Sequence, residues 1–195
     1  MNSQNEEEFY ILAACEDIHG GALLDIGAWD PITFSNSRAL IERGWGAVLI
    51  EPSPVPLNNL VKEYGAQDRV KIVSACVGIE RGWANLRVTE DAVSSTDDAH
   101  VTRWNTQGKY YGEMEVPVIT LADITNRFGG FQFVNIDAEG LSVPLFVELM
   151  ATEMLPRCVC VEHDSRHVEL GQAAFKRGYR QSYVSQENCV FVRGK

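Results

Sequence analysis

Residues 23–31 read LLDIGAWDP. A short apolar run closes on an acid, Asp25, and a single glycine, Gly27, follows it. The run has the length and composition of a buried β-strand, and the glycine marks its release into a turn. A dinucleotide-binding turn would read G-x-G-x-x-G, so that a pyrophosphate can lie against backbone at a helix N-terminus. Here Ala28, Trp29 and Asp30 follow Gly27, so the second and third glycines are missing. Asp30 also sets a negative charge where a phosphate would sit, and no G-x-x-x-x-G-K-[ST] loop occurs anywhere in the chain. The pattern points to a nucleoside without phosphates.

Glu51 closes the next apolar run, GAVLIEP, 24 residues after Gly27 (51 − 27). A carboxylate there can take both hydroxyls of a ribose. S-adenosylmethionine meets these demands, with a ribose, an amino group that an acid can accept, a positive sulfonium and no phosphate. Outward from this pair, strands and helices alternate. SQNEEEFYILAACEDIHGG (residues 3–21) reads as a helix, with Ser3 and Glu6 in capping-box spacing and Gly20-Gly21 as its stop. SNSRALIERGWG, PLNNLVKEYG, TLADITNRFGG, VPLFVELMATEML and HVELGQAAFKRG are helices. RVKIVSACVG, FQFVNIDAEG and RCVCVEHD are strands, and YRQSYVSQ with CVFVRG forms a closing hairpin. Such alternation specifies an α/β fold: a seven-stranded, mostly parallel sheet with helices on both faces and a C-terminal antiparallel hairpin. Ligands of these sheets bind beyond the carboxyl ends of the strands, which nominates Asp25, Glu51, Cys76, Asp137 and Glu162. WANLRVTED and MEVPVITL alternate like half-exposed strands and flank a polar insertion; residues 90–112 form a candidate lid or substrate element.

At 195 residues the chain fits a single domain, 1–195, whose first 20 residues are the N-terminal helix. The net charge of −10 disfavours a nucleic-acid backbone as partner. No apolar run approaches the ~20 residues needed to cross a bilayer, and no membrane partner is expected. MNSQNEEEFY lacks the basic start and apolar stretch of a secretion signal, and five cysteines suit buried reduced thiols; both predict a cytoplasmic protein.

LLDIGAWDP, GWGAVLIEPSPVPLNNL, VSACVGIERGWANLRV, VPVITLADI, FVNIDAEG and NCVFVRG, in that order, resemble the FkbM-type S-adenosylmethionine-dependent methyltransferases from about residue 22 to the C-terminus. I-E-P-x-P and I-D-x-E-G carry the resemblance most specifically. Trp29, where the family more often has Asn or His, and the region 96–112 depart from it. The resemblance implies a Rossmann-like class I methyltransferase fold and, most often, O-methylation of sugars, small metabolites or natural products, releasing S-adenosylhomocysteine. Asp25, Gly27 and Ala28 are assigned to the methionine end of the cofactor, and Trp29 to the same end, either facing the sulfonium by cation–π attraction or packing against the helix that follows. Glu51, Pro52 and Ser53 are assigned to the ribose, Cys76 and Val77 to the adenine edge. Asp137, Glu139 and His163 are the candidates for taking the acceptor's proton, Asp137 first, and Asp137 also touches the cofactor.

Cys158, Cys160, His163 and His167 lack the spacing of a zinc site, so no metal is assigned. A divalent cation on Asp137, Glu162 or Asp164 is allowed but not favoured. The expected partner is a small-molecule or glycan acceptor, with a homodimer also admitted. Two rival readings stand: a relative that binds the nucleoside without turnover, and an NAD-dependent oxidoreductase or epimerase, which the missing glycines oppose.

Overall fold

The computed structural model describes residues 2–89 and 110–194. In chain order the elements are α1 (Glu7–Ala14), β1 (Ala22–Ile26), α2 (Arg38–Glu42), β2 (Gly46–Ile50), α3 (Pro54–Tyr64), β3 (Val70–Val73), β4 (Cys76–Val77), β5 (Gly82–Thr89) and β6 (Tyr110–Ile119). They continue with α4 (Leu121–Phe128), β7 (Phe133–Ile136), α5 (Ser142–Ala151), β8 (Cys158–Glu162), α6 (His167–Lys176), β9 (Tyr179–Val184) and β10 (Asn188–Arg193).

Seven strands form the main sheet in the order β3-β2-β1-β7-β8-β10-β9. The first five run parallel, and β10 pairs antiparallel with both β8 and β9. The expected sheet is therefore present, with the return strand of the hairpin inserted inside its edge partner. The central strands are unbroken apolar runs because both faces are covered. Leu24, Ile26, Val48, Ile50, Val134 and Ile136 pack toward α4, α5 and α6. Leu23, Leu49, Phe133, Cys158 and Cys160 alternate onto the other face, beneath α1, α2 and α3.

Three local expectations are corrected. RVKIVSACVG is not one strand: β3 stops at Val73, and Cys76-Val77 crosses to a second, three-stranded sheet, β4-β6-β5. Ala75 is buried at the crossing, so apolar character carries through the break and conceals it in the sequence. The capping box of α1 does not form. Glu6 stands at the N-cap without a side-chain bond, while the Ser3 hydroxyl accepts from the Glu8 N–H at 3.1 Å. The helix also ends at Ala14, well before Gly20. An intact capping box appears instead on α4, between Thr120 and Asp123. Of the candidate lid, residues 90–109 lie outside the described residues, and 110–112 begin β6.

Candidate active site

The chain leaves β1 outward over β2 and β3, then returns on the other side at β7, so the order reverses between β1 and β7. At this reversal, beyond the carboxyl ends, lies a cavity of about 360 Å³, within the range of small-molecule sites. Parallel register sets Asp25 beside Asn135 and Ile26 beside Ile136, which brings the strand ends level.

Gly27 has φ +76°, and a Cβ there would lie 1.8 Å from the Asp137 carbonyl oxygen. The single glycine is thus required by the close passage of β7, not by a phosphate. The Gly27 and Ala28 N–H groups both donate to the Ile50 carbonyl, at 3.0 and 3.1 Å. They offer a ligand surface rather than donors. Glu51 is buried, and its two carboxylate oxygens accept from the Trp29 N–H at 3.0 Å and the Ser53 N–H at 2.7 Å. Burial raises its pKa, opposed by those bonds. The same carboxylate therefore ties the loop after β1 to the start of α3 and keeps lone pairs for ribose hydroxyls. Trp29 stacks on Phe34, centroids 6.1 Å apart, rather than on the following helix; both hold positive φ, at 39° and 58°. Backbone strain at non-glycine residues lining a cavity is a common mark of function.

Beneath the loop runs a buried polar relay. Asn36 Nδ2 donates to Asn135 Oδ1 at 3.1 Å, and Asn135 Nδ2 donates to Asp25 Oδ1 at 2.8 Å. Asp25 has its pKa raised by burial, with Ser37 and Asn135 opposing. The Asn36 carbonyl oxygen is buried without a partner.

At the other end, Asp137 and Glu162 face each other from β7 and β8. Burial, then the charges of Glu162 and Glu139, hold Asp137 well above the ordinary carboxyl range. Glu162 is pushed up to about 7 by burial and by Asp164, partly offset by hydrogen bonds from Ser142 and Asp137. Ser142 Oγ donates to Glu162 at 3.0 Å and accepts from the Ala138 N–H at 2.9 Å, so the helix start of α5 orients the pair. Two such carboxyls in one buried site hold a proton between them.

Asp25, Gly27, Ala28, Trp29 and Glu51 line the cavity, and so do Pro52, Ser53, Cys76, Val77, Asp137 and Glu139. The Cys76 thiol is pushed up to about 11 by burial and by Glu51, which makes it an inert wall. His163 stands apart from the cavity lining: its Nδ1 accepts from the Ser165 N–H at 3.0 Å, and its Nε2 faces the Ser185 carbonyl at 3.4 Å. Glu162 takes the place beside Asp137. It was visible as a strand-end acid, yet nothing local distinguished it from the neighbouring His163. Asn36, Asn135, Gln4 and Glu187 also reach the cavity without a sequence signal, except that Asn135 interrupts an apolar strand. Cys158 and Cys160 are buried against the α1 side, with Cys158 on Cys15. No group of three or more potential metal ligands occurs among the described residues.

Among the described residues the lining contains no Lys, Arg or His; it offers carboxylates, amides and one unpartnered buried carbonyl. Such a set suits a ligand rich in donors and positive charge, as S-adenosylmethionine is, and not a diphosphate.

Two solved structures with this fold are a precorrin-6y C5,15-methyltransferase from Geobacter metallireducens and the fibrillarin pre-rRNA processing protein of Methanococcus jannaschii. The first is 9% identical with a TM-score of 0.52, covering 98% of this chain and 92% of its own. The second is 12% identical with a TM-score of 0.50, covering 98% of this chain and 77% of its own. At such identities they establish the fold alone. No curated protein gives a significant sequence match. The methyltransferase FkbM domain, in contrast, matches residues 25–180, from the acid of β1 into β9. The chain belongs to the FkbM methyltransferase family, and its methyl donor is S-adenosylmethionine.

Proposed function

We propose that the protein methylates a hydroxyl oxygen of a small molecule or glycan. The observation that carries this reading is the carboxyl pair Asp137–Glu162, oriented by Ser142 and open to the cavity. Bound S-adenosylmethionine supplies a methyl carbon on a positive sulfur, which leaves as a neutral thioether. An alcohol is a poor nucleophile until its proton has somewhere to go. In this reading the acceptor oxygen supplies the electron pair of the new C–O bond, and its proton passes to the pair. Asp137 is the nearer base to the β1–β7 reversal, and Glu162 shares the proton. Holding acceptor and methyl group in line supplies much of the remaining acceleration. Buried free thiols support a reducing, cytoplasmic setting.

The test begins with thermal stability in S-adenosylmethionine, S-adenosylhomocysteine and NAD, on wild type and Glu51→Gln. A ligand at a hundred times its Kd adds about 2.7 kcal/mol, a shift of at least about 5 °C for a domain of this size. The two S-adenosyl compounds should shift wild type, Glu51→Gln should respond much less, and NAD should do nothing. Radiolabelled methyl transfer onto a panel of alcohols then follows. Methylation of amine nitrogens alone, with hydroxyls untouched, overturns the O-methylation reading; ligand binding with no turnover on any acceptor favours the non-catalytic relative.

A further inference from the structure

Asp25 ends β1 at the cavity, but its carboxylate is already engaged. It is 2% exposed and accepts from Asn135 Nδ2 at 2.8 Å and from the Ser37 hydroxyl. A carboxylate only accepts, so this contact decides which way round the neighbouring amide stands. With Nδ2 committed to Asp25, Asn135 turns Oδ1 toward Asn36, and Asn36 gives it Nδ2 at 3.1 Å. Asn36 Oδ1 is then the free end of the chain. It is buried without a partner, on a residue that is 7% exposed and lines the cavity. The hydroxyls obey the same rule: Ser37, donating to Asp25, is left to accept from Ser35 at 3.3 Å.

A buried acceptor with no protein partner calls for a donor on the ligand. A chain of amides ending on a carboxylate is polarised toward its far oxygen, which favours a donor that carries positive charge. Position narrows the choice further. Asn36 is tied through Asn135 to β7, which lies on the opposite side of β1 from β2 and Glu51. That side of the cavity belongs to the methionine end of S-adenosylmethionine and not to its ribose. Of the polar groups there, the carboxylate and the sulfonium have no N–H or O–H to give. The ammonium does.

We infer that Asn36 Oδ1 receives the ammonium of the methyl donor, and that Asp25 acts one step removed, as a positioning residue that keeps Asn135 and Asn36 turned so that an acceptor faces the ligand. This rests on the family's methyl donor and is independent of which acceptor atom is methylated.

The test is isothermal titration of the full chain with three nucleosides. They are S-adenosylhomocysteine, its des-amino analogue, which keeps the carboxylate, and 5′-methylthioadenosine, which lacks the amino-acid tail. Wild type should prefer S-adenosylhomocysteine to the des-amino analogue by on the order of tenfold or more, the worth of one charged hydrogen bond. Asn36→Leu should abolish most of that preference. Asn135→Leu, which leaves both Asp25 and Asn36 in place, should also reduce it, because the Asn36 amide is then free to turn. Neither substitution changes charge, so the general attraction of the cavity's acids for a cation cancels in the comparison. Both variants should bind 5′-methylthioadenosine as wild type does, which separates loss of the relay from loss of the pocket. A wild-type preference below about threefold overturns the inference without recourse to any variant. Full preference retained in Asn36→Leu overturns the ammonium contact, and full preference retained in Asn135→Leu overturns the role of Asp25. No binding of any of the three nucleosides by folded wild type strikes donor binding itself, and this inference with it.

Discussion

At the scale of single residues, Gly27 and Glu162 set opposite demands. A side chain at Gly27 meets backbone rather than a movable neighbour, because the Asp137 carbonyl occupies the space of the Cβ. Gly27→Ala should cost at least about 3 kcal/mol, from the left-handed conformation and the clash together. Urea unfolding measures it, and a loss below about 1 kcal/mol would mean that β7 withdraws freely. Glu162 titrates from an ordinary 4.5 up to about 7 in the folded chain. Between these values the native state holds a proton that the unfolded state has released. Stability from this group therefore falls as pH rises through that window and levels off above it. Glu162→Gln should flatten that slope in unfolding midpoints measured across it. Methyl transfer in wild type should rise through about pH 7 as Glu162 releases its proton and the pair can take the acceptor's. The acids were legible as strand ends; their partnership was not, because Asp137 and Glu162 lie on different strands.

Among elements, α1 depends on one buried carboxylate. Glu7 accepts from the Asn5 N–H at 2.9 Å, from Asn5 Nδ2 at 3.2 Å and from Asn188 Nδ2 at 3.3 Å. Burial pushes its pKa up, but bonds from Ser185 and Asn5 outweigh this and the net shift is downward. The sign is opposite to that of Glu162: its stabilisation is complete above the ordinary carboxyl pKa and is lost as pH falls below it. Glu7→Ala leaves buried donors unpaired and should cost about 1–3 kcal/mol. Hydrogen exchange should localise that loss to α1, the end of β9 and the β9–β10 turn, since Tyr10 of α1 stacks on Tyr183 of β9 at 4.4 Å. Uniform loss across the sheet would instead make α1 part of the global folding unit. The helix itself was legible as the segment ahead of the Gly20-Gly21 stop. Its short span was not, since its start is set by Glu7 reaching back to Asn5 and not by the Ser3–Glu6 pair.

For the whole molecule, we propose that the net charge of −10, with a cavity lined by carboxylates among the described residues, leaves no broad surface for a phosphate backbone. Binding to RNA in a filter assay at about 0.1 M salt should be absent, and a salt-dependent affinity would contradict the acceptor reading. The amino-acid sequence by itself determined the alternation of strands and helices, the place of the antiparallel hairpin and the acids at the strand ends. These are signals of local period and composition, each contained within about ten residues. Tertiary structure alone decided what those acids do. Asn135 meets Asp25 across 110 residues of chain, Asn188 meets Glu7 across 181, and Gly27 is fixed by a carbonyl of β7. Parallel register brings distant strand ends level, and only then do charge, burial and shared protons acquire their values.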